Sequence, residues 1–388
     1  MSAADPVAVT GLGVLSPGGA GVDALWRACA EGDVAFRTVA HFDASRTGAH
    51  RVGLVPEEAT EPGAPPPGHP QRLPYLVHRA VADAVADAGT RGGEGAGGGG
   101  TRTVLVLGTT DGGGFPSGAA WRAWHEGRGP AGASWTPYAP PGPEWPVVRV
   151  GNASAAGATA LGVGADLLRA GIADRAVVCG ADTVTETAFH GLASLRTLSP
   201  GGCRPFAARR SGIRISECAA AVVLERRARA PLVRLRGWGG SNAASQAARP
   251  DVEGIASAVR RALADAGTAP EEIEYVNAHA AGTRHGDVAE LGALHEVLGA
   301  RLPRVPVVSS KAALGHCQGA AGTVEAIVTV LTLLRGRVLP TLGLADRDPR
   351  WAHLDLGGAP PSHPPRTALT LSCGLGGSNV AVVFDRAT

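Results

Sequence analysis

One lysine stands out among the basic residues of this 388-residue chain. Lysine and arginine together number 36, and Lys311 is the only lysine among them. A compact ammonium on a flexible stem does different chemistry from the planar guanidinium of arginine. His316 follows five residues later, in the run KAALGHCQGAAG that ends at Gly322. This spacing indicates a site in which a compact cation lies near an imidazole.

Two further polar residues follow predicted strands. Ser154 comes after the predicted strand Pro146 to Val150 and opens an alanine-rich helical segment, and His279 comes shortly after the predicted strand Ile273 to Val276. Amide donors and the positive end of the helix dipole converge at a helix N-terminus, which favours an anionic or acylated oxygen. Serine and two histidines are therefore a candidate nucleophile with two bases or donors. Serine is also a common helix cap, and a lone histidine is more often structural.

An internal repeat predicts how these residues meet. The segments Tyr75 to Thr90 and Gly254 to Thr268 both have the periodicity of amphipathic helices and share the sequence ADAGT. The first of these helices is expected to end at Gly89, because glycine is typical of a helix C-terminus. A second pair of similar helices follows, of which one begins at Ser154 and the other at Gly319. The repeat predicts a pseudo-twofold protein whose strand-to-helix junctions meet near the axis.

The order of predicted elements indicates the fold class and the domains. Strands that alternate with helices predict an α/β fold with a mainly parallel or mixed sheet covered by helices. The halves meet near Ala228 to Pro231. We therefore predict two domains, residues 1–228 with Ser154 and residues 229–388 with the histidines and the lysine.

Composition excludes several functional classes. The net charge is +2 with scattered arginines, so nothing favours a nucleic-acid partner. The longest apolar run, Ala326 to Leu334, is too short to cross a membrane, and the start of the chain does not resemble a signal peptide. A cytoplasmic protein is expected. The six cysteines show no metal-binding spacing, so neither a metal site nor a disulfide framework is predicted.

The chain resembles the β-ketoacyl synthases, or ketosynthases, of the thiolase fold over nearly its whole length. The stretches that carry the resemblance are Val9 to Pro17, Cys203 to Phe206, Asn277 to Thr283 with Asp287, Lys311 to Gly322 with Glu325, and Gly374 to Asn379. The resemblance implies a thiolase-like α/β fold with two pseudo-duplicated halves in αβαβα layers.

The resemblance also implies roles for individual residues. The nucleophilic cysteine of the family falls on Ser154, which would accept an acyl group from a phosphopantetheine thioester. His279 and His316 match the histidines that hold the thioester carbonyl and stabilise an enolate. Lys311 matches the lysine that supports this pair, and Glu325 matches its buried charge partner. No bound cofactor is expected, because phosphopantetheine would arrive as the arm of an acyl or peptidyl carrier protein.

Further positions would bind the substrate. The backbone amides of Ser154 and Leu375 match the oxyanion hole of the family, and Thr283 matches a threonine that binds pantetheine. Cys373 and Asn152 are expected to line the same site.

The sequence departs from the family pattern at several places. Serine replaces the cysteine at Ser154, and its alkoxide must be made by a base at the moment of attack. Ala281 stands where a second pantetheine-binding threonine is expected, and Cys373 and Leu375 replace two aromatic gate residues. The segment from Phe115 to Val147 looks shortened. The pocket is therefore expected to be remodelled, and ordinary chain extension is disfavoured.

Three functions are compatible with these features. The first is an enzyme of specialised polyketide or hybrid metabolism that transfers, offloads or cyclises a carrier-bound acyl group by aldol and lactone chemistry; the chain looks like the ketosynthase-like cyclases, including a bicyclase of the salinosporamide type. The second is a non-catalytic partner such as a chain-length factor, although such partners usually lose the histidines as well. The third is a Cys-to-Ser variant of a condensing enzyme. A homodimer is expected, with a heterodimer as the alternative.

Overall fold

The computed structural model describes residues 4–90, 101–110, 125–127, 145–244, 249–357 and 363–387. Most of the segment from Phe115 to Val147, which we expected to be shortened, lies outside these residues. None of the helices within the described ranges combines the length and hydrophobicity that a membrane span requires.

The described elements alternate as predicted for an α/β protein. The strands are β1 (Val7–Ser16), β2 (Gly19–Ala20), β3 (Arg37–Thr38), β4 (Arg51–Val52), β5 (Thr103–Thr109), β6 (Val147–Gly151), β7 (Arg175–Asp182), β8 (Cys218–Glu225), β9 (Val233–Asn242), β10 (Tyr275–Asn277), β11 (Val307–Val308), β12 (Thr367–Cys373) and β13 (Ser378–Arg386). The helices are α1 (Val22–Glu31), α2 (Arg72–Thr90), α3 (Ala156–Arg169), α4 (Glu186–Ser194), α5 (Val252–Ala266), α6 (Gly286–Leu298), α7 (Lys311–Leu314) and α8 (Ala321–Arg335).

Strand order repeats between the two parts of the chain. The order is β6-β5-β7-β8-β1 in the first part and β11-β10-β12-β13-β9 in the second. In each part the first three strands of this order are parallel and the remaining pairings are antiparallel. An antiparallel pairing of β1 with β9 joins the two parts. This order fits the predicted repeat, and a boundary near residue 228 stays a prediction.

Helices and sheets form five layers. In the middle, α3 and α8 pack against each other and contact strands of both parts. On the outer sides, α2 covers β1, β7 and β8, while α5 covers β9 and β13 with α6 beside it. Separate apolar clusters fill the spaces between these layers. The predicted α/β fold with αβαβα layers is confirmed.

Some predicted boundaries differ from the observed ones. The first repeated helix includes Thr90, so the prediction that it ends at Gly89 is wrong: Gly89 does not adopt the left-handed conformation of a helix C-terminus. In the second helix Gly267 does so, with φ 58°, and ends α5 as expected. Strand β10 starts at Tyr275 rather than at Ile273, because a 3₁₀ turn over Pro270–Glu272 precedes it.

The two central helices approach closely at glycines near their N-terminal ends. A Cβ atom on Gly322 would lie 2.4 Å from the backbone nitrogen of Ala158. A Cβ atom on Gly157 would lie 2.5 Å from Thr323 Oγ1 and 2.7 Å from the carbonyl oxygen of Gly319. No side chain fits between the backbones here, so glycine is required for this approach. The crossing brings together the two turns that precede α3 and α8.

We predict that Gly322→Ala lowers the free energy of unfolding, measured by urea denaturation, by about 1–3 kcal/mol, because the added methyl group overpacks against the α3 backbone. Gly191→Ala is the matched control. Gly191 lies within α4 with open space at its Cβ position, so alanine should leave stability equal or raise it by about 0.5–1 kcal/mol. Equal stability of Gly322→Ala and wild type would contradict the observed crossing.

Candidate active site

Ser154 lies in a strained turn between a strand and a helix. Strand β6 ends at Gly151, a 3₁₀ turn covers Ala153–Ala155, and α3 follows directly. Ala153 has φ 46°, a left-handed conformation that costs energy for a residue with a Cβ atom. The N-cap residue of α3 is Ala155, and no side chain caps the helix. Ser154 is therefore not a helix cap, and its half-buried hydroxyl stands at the helix N-terminus.

The second half of the chain contains the same turn. A 3₁₀ turn over Gln318–Ala320 precedes α8, and Gln318 has φ 53°. Gly319 thus occupies the position equivalent to Ser154. Its N–H donates to Asp182 Oδ2 at 2.6 Å, and the N–H of Thr110 donates to the same oxygen at 3.0 Å. Asp182 thus links this turn to the ends of β5 and β7 in the first half. The turns that precede α3 and α8 also contact each other.

Hydrogen bonding fixes the tautomer of His316. The backbone N–H of Gln318 donates to His316 Nδ1 at 3.0 Å, so the proton of the neutral ring is on Nε2. Burial, with a further contribution from the Lys311 charge, lowers the pKa of His316 to about 3. The side-chain amide of Gln318 holds the turn by donating to the carbonyl oxygens of Thr183 and Ser216. His316 is thus a neutral donor through Nε2 at ordinary pH.

His279 is the second neutral imidazole of the site. Its ring centroid lies 5.4 Å from that of His316, with an angle of 76° between the ring planes. Burial lowers the pKa of His279 well below its usual value, and the charge of Lys311 lowers it further. Within the described part of the chain, His279 Nδ1 is buried without a hydrogen-bond partner. The His316 Nε2–H is thus a defined donor, whereas no hydrogen bond within the described residues fixes the tautomer of His279.

Glu290 holds the His279 loop and was missed in the sequence analysis. Its two carboxylate oxygens accept the backbone N–H groups of His279 and Ala280 at 2.6 and 2.7 Å. Burial raises the pKa of Glu290 to about 7. One turn earlier on α6, Asp287 accepts the N–H groups of Phe206 and Gly282 at 2.9 and 3.1 Å. The spacing of three residues between these acids, just after His279, was a readable sign of a shared helix face.

Lys311 and Glu325 form a buried ion pair. The side chain of each is 2% exposed, and the ammonium donates to Glu325 Oε1. Burial raises the pKa of Glu325 to about 7, although Lys311 opposes this shift. Ser309 Oγ accepts the Lys311 backbone N–H at 3.3 Å and donates to the carbonyl oxygen of Ala280 at 2.9 Å. The structure thus brings together both predicted histidines and both members of the predicted charge pair.

The turn after β12 abuts the Ser154 turn. A Cβ atom on Gly374 would lie 3.3 Å from Ala153 Cβ and 3.3 Å from the carbonyl oxygen of Asn152. Leu375 follows in this turn, with 41% of its side chain exposed. Within the described residues, the backbone N–H groups of Ser154 and Leu375 donate no hydrogen bond to the protein. The serine therefore has two free amide N–H groups beside its hydroxyl, its own and that of Leu375.

The predicted substrate-lining residues differ in whether their side chains remain available to a substrate. Thr283 Oγ1 accepts the Gly286 N–H at 3.0 Å, which leaves its hydroxyl proton available. Asn152 Nδ2 donates to Thr159 Oγ1 at 2.9 Å, so this amide is engaged with α3. Cys373 packs against apolar residues of α5 and α6. Burial raises the pKa of the Cys373 thiol well above its usual value, which disfavours it as a rival nucleophile.

Family models match most of the central and C-terminal parts of the chain. The model "Beta-ketoacyl synthase, N-terminal domain" matches residues 144–230, and "Beta-ketoacyl synthase, C-terminal domain" matches residues 232–345. Both histidines, the charge pair and Ser154 lie within these ranges.

Curated relatives and a solved structure agree with these matches. The 3-oxoacyl-(acyl-carrier-protein) synthase 2 of Mycobacterium tuberculosis is 36% identical over 251 residues, which cover 61% of this chain and 60% of the relative. The chain thus aligns with less than two thirds of that relative's length. The tetracenomycin polyketide synthase ketoacyl synthase alpha subunit of Streptomyces glaucescens is 30% identical over 98% of this chain and 97% of its own length. The structure of the ishigamide ketosynthase/chain length factor superposes with a TM-score of 0.82 at 29% identity, covering 100% of both chains.

A pH-dependent stability difference tests the placement of Glu290. Its pKa is about 7 in the folded protein against 4.5 ordinarily, so only the folded state keeps its proton between these values. Wild-type stability should therefore fall relative to Glu290→Gln as the pH rises through this window, by up to about 3 kcal/mol. Urea denaturation of both proteins at about pH 5 and about pH 7.5 measures the difference.

Glu58→Gln is the control, because Glu58 is exposed. Its stability difference from wild type should not change over the same window. If the difference between Glu290→Gln and wild type were equally constant, Glu290 would not be a buried group of raised pKa.

Proposed function

Because the chain belongs to the β-ketoacyl synthase family and has its thiolase-like fold, we propose that it is an enzyme that accepts an acyl or β-ketoacyl group from a carrier protein. The mycobacterial relative is named for an acyl carrier protein, which supports a substrate presented on a phosphopantetheine arm. The observation that carries the proposal is the neutral histidine pair beside two free amides and an uncapped serine.

The first step is acyl transfer to Ser154. Its Oγ attacks the thioester carbonyl while His279, a neutral imidazole, takes the hydroxyl proton. The amides of Ser154 and Leu375 stabilise the negative oxygen of the tetrahedral intermediate. The carbon–sulfur bond then breaks, and the leaving thiolate of the arm takes the proton back from His279. Lys311 and Glu325 position the histidines without touching the substrate.

The second step is internal cyclisation rather than chain extension. An acyl-serine ester is less reactive than a thioester toward an external carbon nucleophile, whereas an internal nucleophile is already in place. His279 removes a proton from the α-carbon of the β-ketoacyl group. The resulting enolate, stabilised by the His316 Nε2–H, attacks a carbonyl of the same chain and forms a carbon–carbon bond. The alkoxide that forms attacks the ester carbonyl, and Ser154 leaves with the proton that His279 took from the α-carbon. The product is a lactone, and no malonyl extender is consumed.

A non-catalytic partner role is the second candidate. It is favoured by the likeness to the ishigamide ketosynthase/chain length factor, whose name includes such a partner. Against it stands the Lys311–Glu325 pair, which is buried at a cost of several kcal/mol per ion and would be replaceable by apolar residues in a partner without chemistry. A Cys-to-Ser variant of a condensing enzyme remains the third candidate, and sequencing the gene decides it.

We also propose a dimer. Strand β6, which leads into the Ser154 turn, is the last strand at its side of the described sheet. Its outer edge therefore has backbone groups that a second copy, or a ketosynthase partner, could pair with.

Mass spectrometry of the intact protein tests the acyl-enzyme. After incubation with carrier-bound β-ketoacyl thioesters, wild type should gain the acyl mass or release a cyclic product, and Ser154→Ala should do neither. Ser194→Ala, a substitution at an exposed serine of α4, should behave as wild type. An adduct that persists in Ser154→Ala would reject Ser154 as nucleophile. No adduct or product from any thioester, together with tight binding to a second ketosynthase, would support the partner role.

The reactivity of position 154 can be measured without substrate. In Ser154→Cys, the helix N-terminus should lower the thiol pKa, so that alkylation by iodoacetamide near neutral pH is about tenfold faster than in Ser194→Cys, where the thiol stands at a helix C-terminus. Wild type should react slowly, because five cysteines are buried and Cys373 is half-buried. Equal rates for the two new thiols would contradict an activated position.

A further inference from the structure

Three arginines outside the catalytic residues converge without a counterion. Arg51 and Arg204 are exposed and Arg214 is half-buried. Within the described part of the chain none of them forms a salt bridge, and Arg214 Nε is buried with no hydrogen-bond partner. The buried arginines Arg72 and Arg175, in contrast, each form a salt bridge with a glutamate, at 2.7 and 2.6 Å.

Neighbouring backbone and one aromatic ring hold these guanidinium groups together. Arg51 donates to the carbonyl oxygen of Phe36, and the guanidinium carbon of Arg214 lies 4.3 Å from the centroid of the Phe36 ring. A Cβ atom on Gly202 would lie 2.8 Å from Arg214 Nη2, and one on the adjacent Gly201 would lie 3.7 Å from Arg204 Nη2. Phe36 and the paired glycines thus bring three positive groups to one place.

The charge of this cluster is not balanced by nearby acids. Burial lowers the pKa of Arg214, and the positive charges of Arg51 and Arg204 lower it further. Asp346 is within electrostatic reach of Arg204, but it already accepts a hydrogen bond from Arg209 Nε at 2.9 Å. Mutual repulsion of guanidinium groups is relieved when an oxyanion binds between them, and their planar donors suit phosphate and carboxylate oxygens.

The cluster adjoins both segments that carry the histidines. The carbonyl oxygen of Arg214 accepts the backbone N–H of His316 at 2.6 Å. A Cβ atom on Gly282 would lie 2.9 Å from the backbone nitrogen of Arg204, so the loop that carries Thr283 packs against this arginine. A ligand group bound by the arginines would therefore lie beside the proposed catalytic site and at the protein surface.

We propose that Arg51, Arg204 and Arg214 form an oxyanion-binding site for a charged group of the substrate. Two sources have this chemistry: the phosphate of the phosphopantetheine arm and a carboxylate on the acyl chain. The existence of the site does not depend on catalysis, whereas the assignment to the substrate rests on the proposed function.

Isothermal titration calorimetry with inorganic phosphate tests the site on the full chain at constant ionic strength. Wild type should bind phosphate, and Arg214→Gln should bind it about tenfold more weakly, the loss expected for a charge-assisted hydrogen bond. Arg204→Gln, an exposed position whose change should not disturb folding, should show a similar loss. Arg337→Gln, an exposed arginine of another surface, is the control and should bind as wild type. No phosphate binding by wild type, or equal binding by all variants, would overturn the site.

Competition against bound phosphate identifies which part of the substrate carries the charged group that the arginines bind. Displacement by 4′-phosphopantetheine but not by pantetheine would assign the site to the arm, and displacement by glutarate alone would assign it to an acyl carboxylate. Phosphate binding that neither compound displaces would overturn the link to the substrate. Comparing this titration with the mass-spectrometric assay separates this inference from the proposed function: phosphate binding by a wild-type protein that gains no acyl mass would leave the anion site standing and remove only the acyl-enzyme.

Discussion

The buried ion pair between Lys311 and Glu325 is the constraint on which the site depends. Neither side chain has access to water, so each charge can be kept only by the other. The ammonium adds a positive charge beside two buried imidazoles, and this charge, after burial itself, keeps both histidines neutral. An arginine would present a planar fork at this place, whereas the compact lysine fits at the start of α7. We therefore propose that Lys311, the only lysine of the chain, positions the histidines.

The repeated fold is what brings these groups to the serine. Two equivalent turns, each with a residue of positive φ, precede α3 and α8, and the helices cross closely enough that only glycine fits between them. The first turn presents Ser154, while the second presents Gly319 and fixes the tautomer of His316 through Gln318. In the proposed function, the first turn presents the nucleophile and the second turn orders the donor.

Much of this arrangement was predictable from the sequence because it depends on residue type and spacing. The repeat and the α/β layers follow from matched segments of the two halves, and the association of Lys311 and Glu325 with both histidines was implied by the resemblance to the ketosynthases. The spacing of Asp287 and Glu290 indicated a shared helix face, but the hydrogen bonds of Glu290 and Gln318 were not predictable, because only the folded loops define the directions of the groups involved. The prediction that the first repeated helix ends at Gly89 was wrong for a similar reason, because a glycine ends a helix only when its backbone adopts the left-handed conformation.

Nitrogen-15 NMR of His316 in the wild-type protein, assigned with a His316→Gln variant, tests the central claim most directly. The account predicts a neutral ring protonated on Nε2, with Nδ1 as acceptor, at every pH from about 5 to about 8, because the pKa of His316 is about 3. An imidazolium at about pH 6, or a ring protonated on Nδ1, would contradict the claim that the Lys311 charge and the Gln318 amide prepare a neutral donor for the oxygen of the substrate.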